Sequence, residues 1–167
     1  MSLTPHALAV STFTRGLGAL DHLLDKAAAS GLDEAVLFDA RLAPDMRPFP
    51  DQIRMAAFGA RGCVARLAGC DWPKTDDGEA TLADLKATVA MSRDFVNSLA
   101  PAAFEGADKR RIELRFPGVE LNFEGEGYLT GFAVPNFYFH VTMAYAILRN
   151  QGVELGKKDF LGQLPLI

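Results

Sequence analysis

The chain is short of the residues that usually announce a chemistry. Among 167 residues there are two cysteines, three histidines and one tryptophan. Two thiols, Cys63 and Cys70, are too few for a disulfide framework and suit a reducing compartment, so a cytoplasmic location is expected. Seven residues apart, they can share one helix face. Without histidine or further cysteine beside them they do not make a zinc site, and they read as small core residues. No run of lysine and arginine occurs. The 17 basic residues are outweighed by 21 acidic ones, for a net charge of −4 and an isoelectric point of about 5.3. That balance offers no electrostatic footprint for nucleic acid. The N-terminus, MSLTPHALAVSTFTRG, lacks the basic and apolar blocks of a signal peptide. Walker, G-x-G-x-x-G, G-x-S-x-G, H-E-x-x-H and C-x-x-C motifs are all missing. Formal charge is absent between Glu126 and Arg149, close to membrane-spanning length. The stretch nevertheless carries Gly127, Thr130, Gly131, Pro135, Asn136, His140 and Thr142. It reads as the most buried helix of a bundle, with no membrane partner expected.

What is present is an ordinary globular balance, 49% hydrophobic and 23% charged. One hydrophobic core can form at this length, and a single domain over residues 1–167 is expected. Thr4-Pro5 starts a helix as N-cap and first-turn proline. Leu3, Val10, Phe13, Leu17, Leu20, Leu24 and Ala27 then recur at three- and four-residue steps, with His6 on the same seam. Ser30-Gly31 closes that helix. A short helical piece is expected around Asp33–Leu42. It is followed by an ordered loop in which Met46 and Phe49 seek burial. A second long helix is predicted from Asp51 to Ala68 on Ile53, Ala57, Ala60, Val64 and Leu67, rich in alanine and glycine that allow close approach. The polar segment 70–80 is a crossover. Thr81-x-x-Asp84 is a capping box for a third helix on Leu82, Leu85, Val89, Ser92, Val96 and Leu99.

The period then changes. Ile112, Leu114 and Phe116 alternate with charged residues, and so do Val119, Leu121 and Phe123 after Pro117-Gly118. This predicts a two-stranded hairpin with one apolar face, capping one end of the bundle. A fourth helix over Glu126–Asn150 follows, kinked or split by Pro135. The tail from Val153 to Ile167 is expected to fold back over the bundle. The fold class is therefore all-α, a four-helix bundle with a small β-hairpin before the last helix.

The one polar constellation on a predicted core seam is Asn136-x-x-x-His140, whose spacing puts both side chains on one helix face. A buried imidazole needs a hydrogen-bond partner. Two readings follow: a satisfied core histidine, or a polar pocket holding a small molecule or a metal. Candidate pocket residues are Asn136, His140, Tyr138, Tyr145, Asp45 and Gln52, with His140 as the candidate metal ligand.

The run from Val134 to Arg149, with Gly152-Val153, Gly156-Lys157 and Asp159-Phe160-Leu161-Gly162, closely resembles the DUF1993 family. Leu42-Ala43-Pro44-Asp45-Met46 and Ala65-Arg66-Leu67-Ala68-Gly69 share in the likeness. The resemblance implies a bacterial protein of the DinB/YfiT-like four-helix bundles, a group that includes metal-dependent thiol transferases and members without known activity. The DinB pattern places a histidine near the second helix and an H-x-x-x-H pair on the last. His140 matches the second of that pair, Asn136 stands where the first would be, and Asp51 and Gln52 are the nearest donors on the second helix. The resemblance thus implies either a small-molecule-binding bundle or a degenerate metal-dependent transferase with a divalent ion such as zinc or nickel. It also implies a homodimer.

Overall fold

Helix starts and stops follow local chemistry closely. In the computed structural model, which describes residues 3–162, α1 runs Pro5–Ala29, with the Thr4 hydroxyl accepting from the Ala7 N–H at 3.1 Å. Asp33 caps the short α2, Glu34–Asp39. Helix α3 covers Phe49–Ala68 and ends on Gly69 at φ 71°, a left-handed turn that glycine adopts without a Cβ penalty. Helix α4, Leu82–Ser98, opens on the predicted capping box, with both reciprocal Thr81–Asp84 bonds formed.

Among the described residues, α1, α3 and α4 join α6 (Val134–Asn150) as the four long helices of the bundle. Helix α3 packs most extensively on α6, and α1 on α4. Phe13, Leu17 and Leu20 of α1, Ile53, Ala57, Ala60 and Val64 of α3, and Leu85 and Val89 of α4 are fully buried. The seam of α1 is broader than its three-four spacing and starts later. Leu3 is exposed and Val10 half-buried, while Ala9, Gly16 and Leu23 turn inward. Cys63 is buried in α3, whereas Cys70 lies beyond the helix end, exposed. No helix among the described residues is long and apolar enough to cross a membrane.

Strands β1 (Arg111–Phe116) and β2 (Val119–Glu124) pair antiparallel with Phe116 opposite Val119, leaving Pro117-Gly118 as a two-residue turn. Ile112 and Leu114 are buried at the base, but Phe116 and Val119 at the tip are half exposed. The hairpin therefore does not cap the bundle end with its whole apolar face. Its base packs on the core and its tip overhangs the outer face of α3.

Over the span of the expected fourth helix, Pro135 is accommodated by a widened turn rather than by a break. A single turn, α5 (Gly125–Gly127), leads into a π-helical segment, Tyr128–Ala133, and only then into α6. Pro135 has no N–H, and its ring would collide with the preceding turn of an ordinary α-helix. The wider π turn, in which the Val134 N–H reaches back five residues to the Leu129 carbonyl, makes that room. It also turns Tyr128 and Phe132 toward Phe123 of the hairpin, with ring centroids 5.9 Å and 5.8 Å away. The tail returns as α7, Lys157–Leu161, held to α1 by His22–Asp159 at 2.8 Å. The expected return is thus seen as far as Gly162, and residues 163–167 lie outside the described residues.

Candidate functional site

The antiparallel contact of α3 and α6 sets the site. Near the start of α3, Gln52 faces His140, and both are buried. His140 Nδ1 lies 2.8 Å from Gln52 Oε1. Gln52 Nε2 donates to the Arg47 carbonyl at 2.9 Å, so Oε1 is the acceptor and the proton sits on His140 Nδ1. Burial, with the Arg47 cation adding to it, holds the imidazole below its usual pKa. The ring is therefore neutral near pH 7. Phe139 stands edge-on to it at 5.2 Å.

Further along, a groove of about 760 Å³ opens beside the α3–α6 contact, bounded by α3, the hairpin and the π segment. Asn136 lines it, above Gly59, where an added Cβ would meet only Asn136 Nδ2 at 3.8 Å. Met55, Phe58, Phe116 and Phe132 give it apolar walls, and Arg47, Arg54, Arg66 and Arg115 give it cations. The His140–Gln52 pair stands behind this wall and reaches it through Arg47, whose carbonyl takes the Gln52 amide.

The remaining candidates are scattered. Tyr138 accepts from Arg15 at 2.6 Å on the α1 side. Tyr145 packs edge-on to Phe160 of α7 at 5.8 Å. Asp45 is exposed in the loop before α3. None of the three shares a hydrogen bond with His140 among the described residues. His6 bonds the Leu99 carbonyl at 3.0 Å and stacks edge-on to Phe104, so it does not meet His140. Asp51 is engaged by Arg54 at 2.9 Å and Arg47 at 3.1 Å. The metal reading needs converging anionic or imidazole donors. Among the described residues no group of three His, Cys, Asp or Glu converges. One imidazole nitrogen beside neutral amides is a donor set that fits zinc or nickel poorly.

A polar network was not anticipated. Arg61 is fully buried between α3 and α4, donating to Ser92 Oγ at 2.5 Å. Its Nε has no hydrogen-bond partner among the described residues. Burial lowers its pKa, opposed by Glu79 and Asp77. Glu79 in turn accepts from Thr88 at 2.5 Å and Arg54 at 2.9 Å. Burial pushes its carboxyl up, but these bonds outweigh that and leave it below the usual range. The available signal was spacing, since Arg61 falls four after Ala57 and three before Val64 on the core seam.

The DUF1993 family model, a domain of unknown function, matches residues 6–161. A solved crystal structure of a DinB family member from Shewanella denitrificans is similar, at 37% identity and a TM-score of 0.87, over 97% of this chain and 94% of that one. No curated protein matches.

Proposed function

The chain belongs to the DUF1993 family, and from that premise we propose that it binds a small organic molecule in the groove between α3, the hairpin and the π segment. The carrying observation is the cavity itself. Its volume of about 760 Å³ lies in the range of ligand sites, roughly 300–1,000 Å³. Its mixed lining of aromatic, methionine and arginine side chains suits an amphipathic molecule. Asn136 offers both a donor and an acceptor at its floor. His140 and Gln52 act from behind as positioning residues, fixing α6 against α3 and anchoring the Arg47 backbone. The alternative, a metal-dependent transferase, draws no support from the donors around His140.

Phenylbutanamide, a neutral amphiphile, is a suitable probe, and the emission of Trp72, the chain's single tryptophan, reports its arrival. Gly59→Leu would fill the groove from its floor with nothing but Asn136 Nδ2 within 4 Å of the new Cβ. Saturable binding by the wild type and none by the variant, with unchanged circular dichroism, is expected. No saturable binding by the wild type, or undiminished binding by the variant, would overturn the reading.

A further inference from the structure

The arginines of the groove are not equivalent. Arg47 bonds Asp51 at 3.1 Å, Arg54 is held by Asp51 and Glu79, each at 2.9 Å, and Arg115 reaches Glu113 at 3.3 Å. Arg66 is different. Among the described residues it has no carboxylate partner, and its one side-chain bond is a long 3.4 Å contact with the Tyr128 hydroxyl. Of the four arginines that line the groove, Arg66 is thus the one whose charge no paired carboxylate matches among the described residues.

The Arg66 guanidinium is also held in place. Its carbon sits 4.9 Å from the centroid of the Trp72 ring, a cation–π distance. It lies across Gly62, where an added Cβ would come within 2.5 Å of Nη1. Trp72 is itself flanked by Phe58, with centroids 6.4 Å apart. A planar cation fixed beside an apolar wall presents parallel N–H donors to a carboxylate with little ordering cost.

Resting on the groove reading above, we infer that the ligand is an amphipathic monocarboxylate, its head on Arg66 and its apolar body along Phe58, Phe132 and Met55. One unmatched charge fits a monoanion better than a dianion, because Asp51, Asp77 and Glu113 on the same walls repel a second negative charge.

The test compares phenylbutanoate with phenylbutanamide, which share a body and differ in charge, by Trp72 emission and calorimetry. The wild type is expected to prefer the carboxylate about tenfold, equivalent to about 1.4 kcal/mol. Arg66→Gln is expected to abolish that preference with the amide still bound, and Arg66→Lys to retain part of it. Equal affinity of the wild type for the two probes would overturn the role of Arg66, while binding that still vanishes in Gly59→Leu would leave the groove standing. Loss of both probes in a folded Arg66→Gln would make Arg66 structural and overturn the inference. Tighter binding of phenylbutyl phosphate than of the carboxylate would overturn the monoanion assignment. Binding of neither probe by the wild type would overturn inference and groove together.

Discussion

Helix α6 packs on both α1 and α3, and the two contacts are built on opposite terms. Against α1 it drives Phe137 onto Gly16 so tightly that a Cβ there would lie 2.2 Å from Phe137 Cε1. Phe13 closes the contact edge-on at 5.0 Å, and Phe13 and Phe137 are fully buried. Against α3 the same helix lays Asn136 over Gly59 with room to spare and joins His140 to Gln52 at 2.8 Å. Each side places a glycine opposite α6. One glycine is required because an aromatic ring already occupies the space a side chain would need. The other leaves space that no described residue fills. A close-packed interior has few voids larger than a water molecule. The α1 side is therefore closed by aromatic rings, and the α3 side, although its contact is the more extensive, stays open at Gly59.

The largest way to break the contrast is Gly16→Ala. Alanine gains about 1 kcal/mol of helix propensity over glycine, but here its methyl must displace a buried ring. Overpacking of this kind costs roughly 1–3 kcal/mol and sometimes more. Because the ring has no free side to retreat to, a net loss of about 2 kcal/mol is expected in urea unfolding. A variant as stable as the wild type would show that the α1 side is no tighter than the α3 side.

The next test strips the polar tie from the other side. His140→Leu keeps the volume but leaves Gln52 Oε1 buried without a donor, at a cost of roughly 1–3 kcal/mol. Replacing both partners with leucine removes the stranded acceptor but also takes the Gln52 amide from the Arg47 carbonyl, so the double variant should recover only part of that loss. A pH dependence accompanies it. His140 is held below its usual pKa in the folded protein by burial, with Arg47 contributing. Between that depressed value and the unfolded value of about 6.5, the unfolded chain binds the extra proton. Stability is then complete above about pH 6.5 and falls as pH drops through that window. The wild type should therefore lose more stability than His140→Leu between neutral and mildly acid pH. Parallel pH profiles for the two would place the imidazole in water.

The two sides were also unequally legible in the sequence. Spacing located the core seams of α3 and α4, the Thr81–Asp84 capping box and the Phe116–Val119 register, because each rests on neighbours in the chain. The i, i+4 pair of Asn136 and His140 did land on the α3 side, and Gln52 was among the donors named for it. Tyr138 and Tyr145 lie roughly 160° and roughly 140° around the helix from His140, which is why they face α1 and α7 instead. The π segment was hidden because Pro135 signals a disruption without saying whether the chain kinks or widens. The groove was hidden because it exists only once the hairpin overhangs α3, a contact no local pattern records. Arg61 went unread because a single cation on an apolar seam looks like a surface residue until Ser92 is brought beside it.

Gly59→Ala is the smallest and most discriminating change. In an exposed or roomy helix position, alanine stabilises relative to glycine by about 1 kcal/mol, because the unfolded chain loses freedom and the helix gains propensity. At position 59 the new methyl meets only Asn136 Nδ2, at ordinary contact distance of 3.8 Å. The substitution should therefore raise the unfolding midpoint slightly, opposite in sign to Gly16→Ala on the other side of α6. The methyl also protrudes into the groove floor, so phenylbutanamide should bind more weakly while the protein becomes more stable. That pairing, stability up and binding down, is the pattern of a glycine kept for the space above it. Destabilisation by Gly59→Ala would mean that α6 sits closer to α3 than 3.8 Å allows, and the contrast between the two sides would fail.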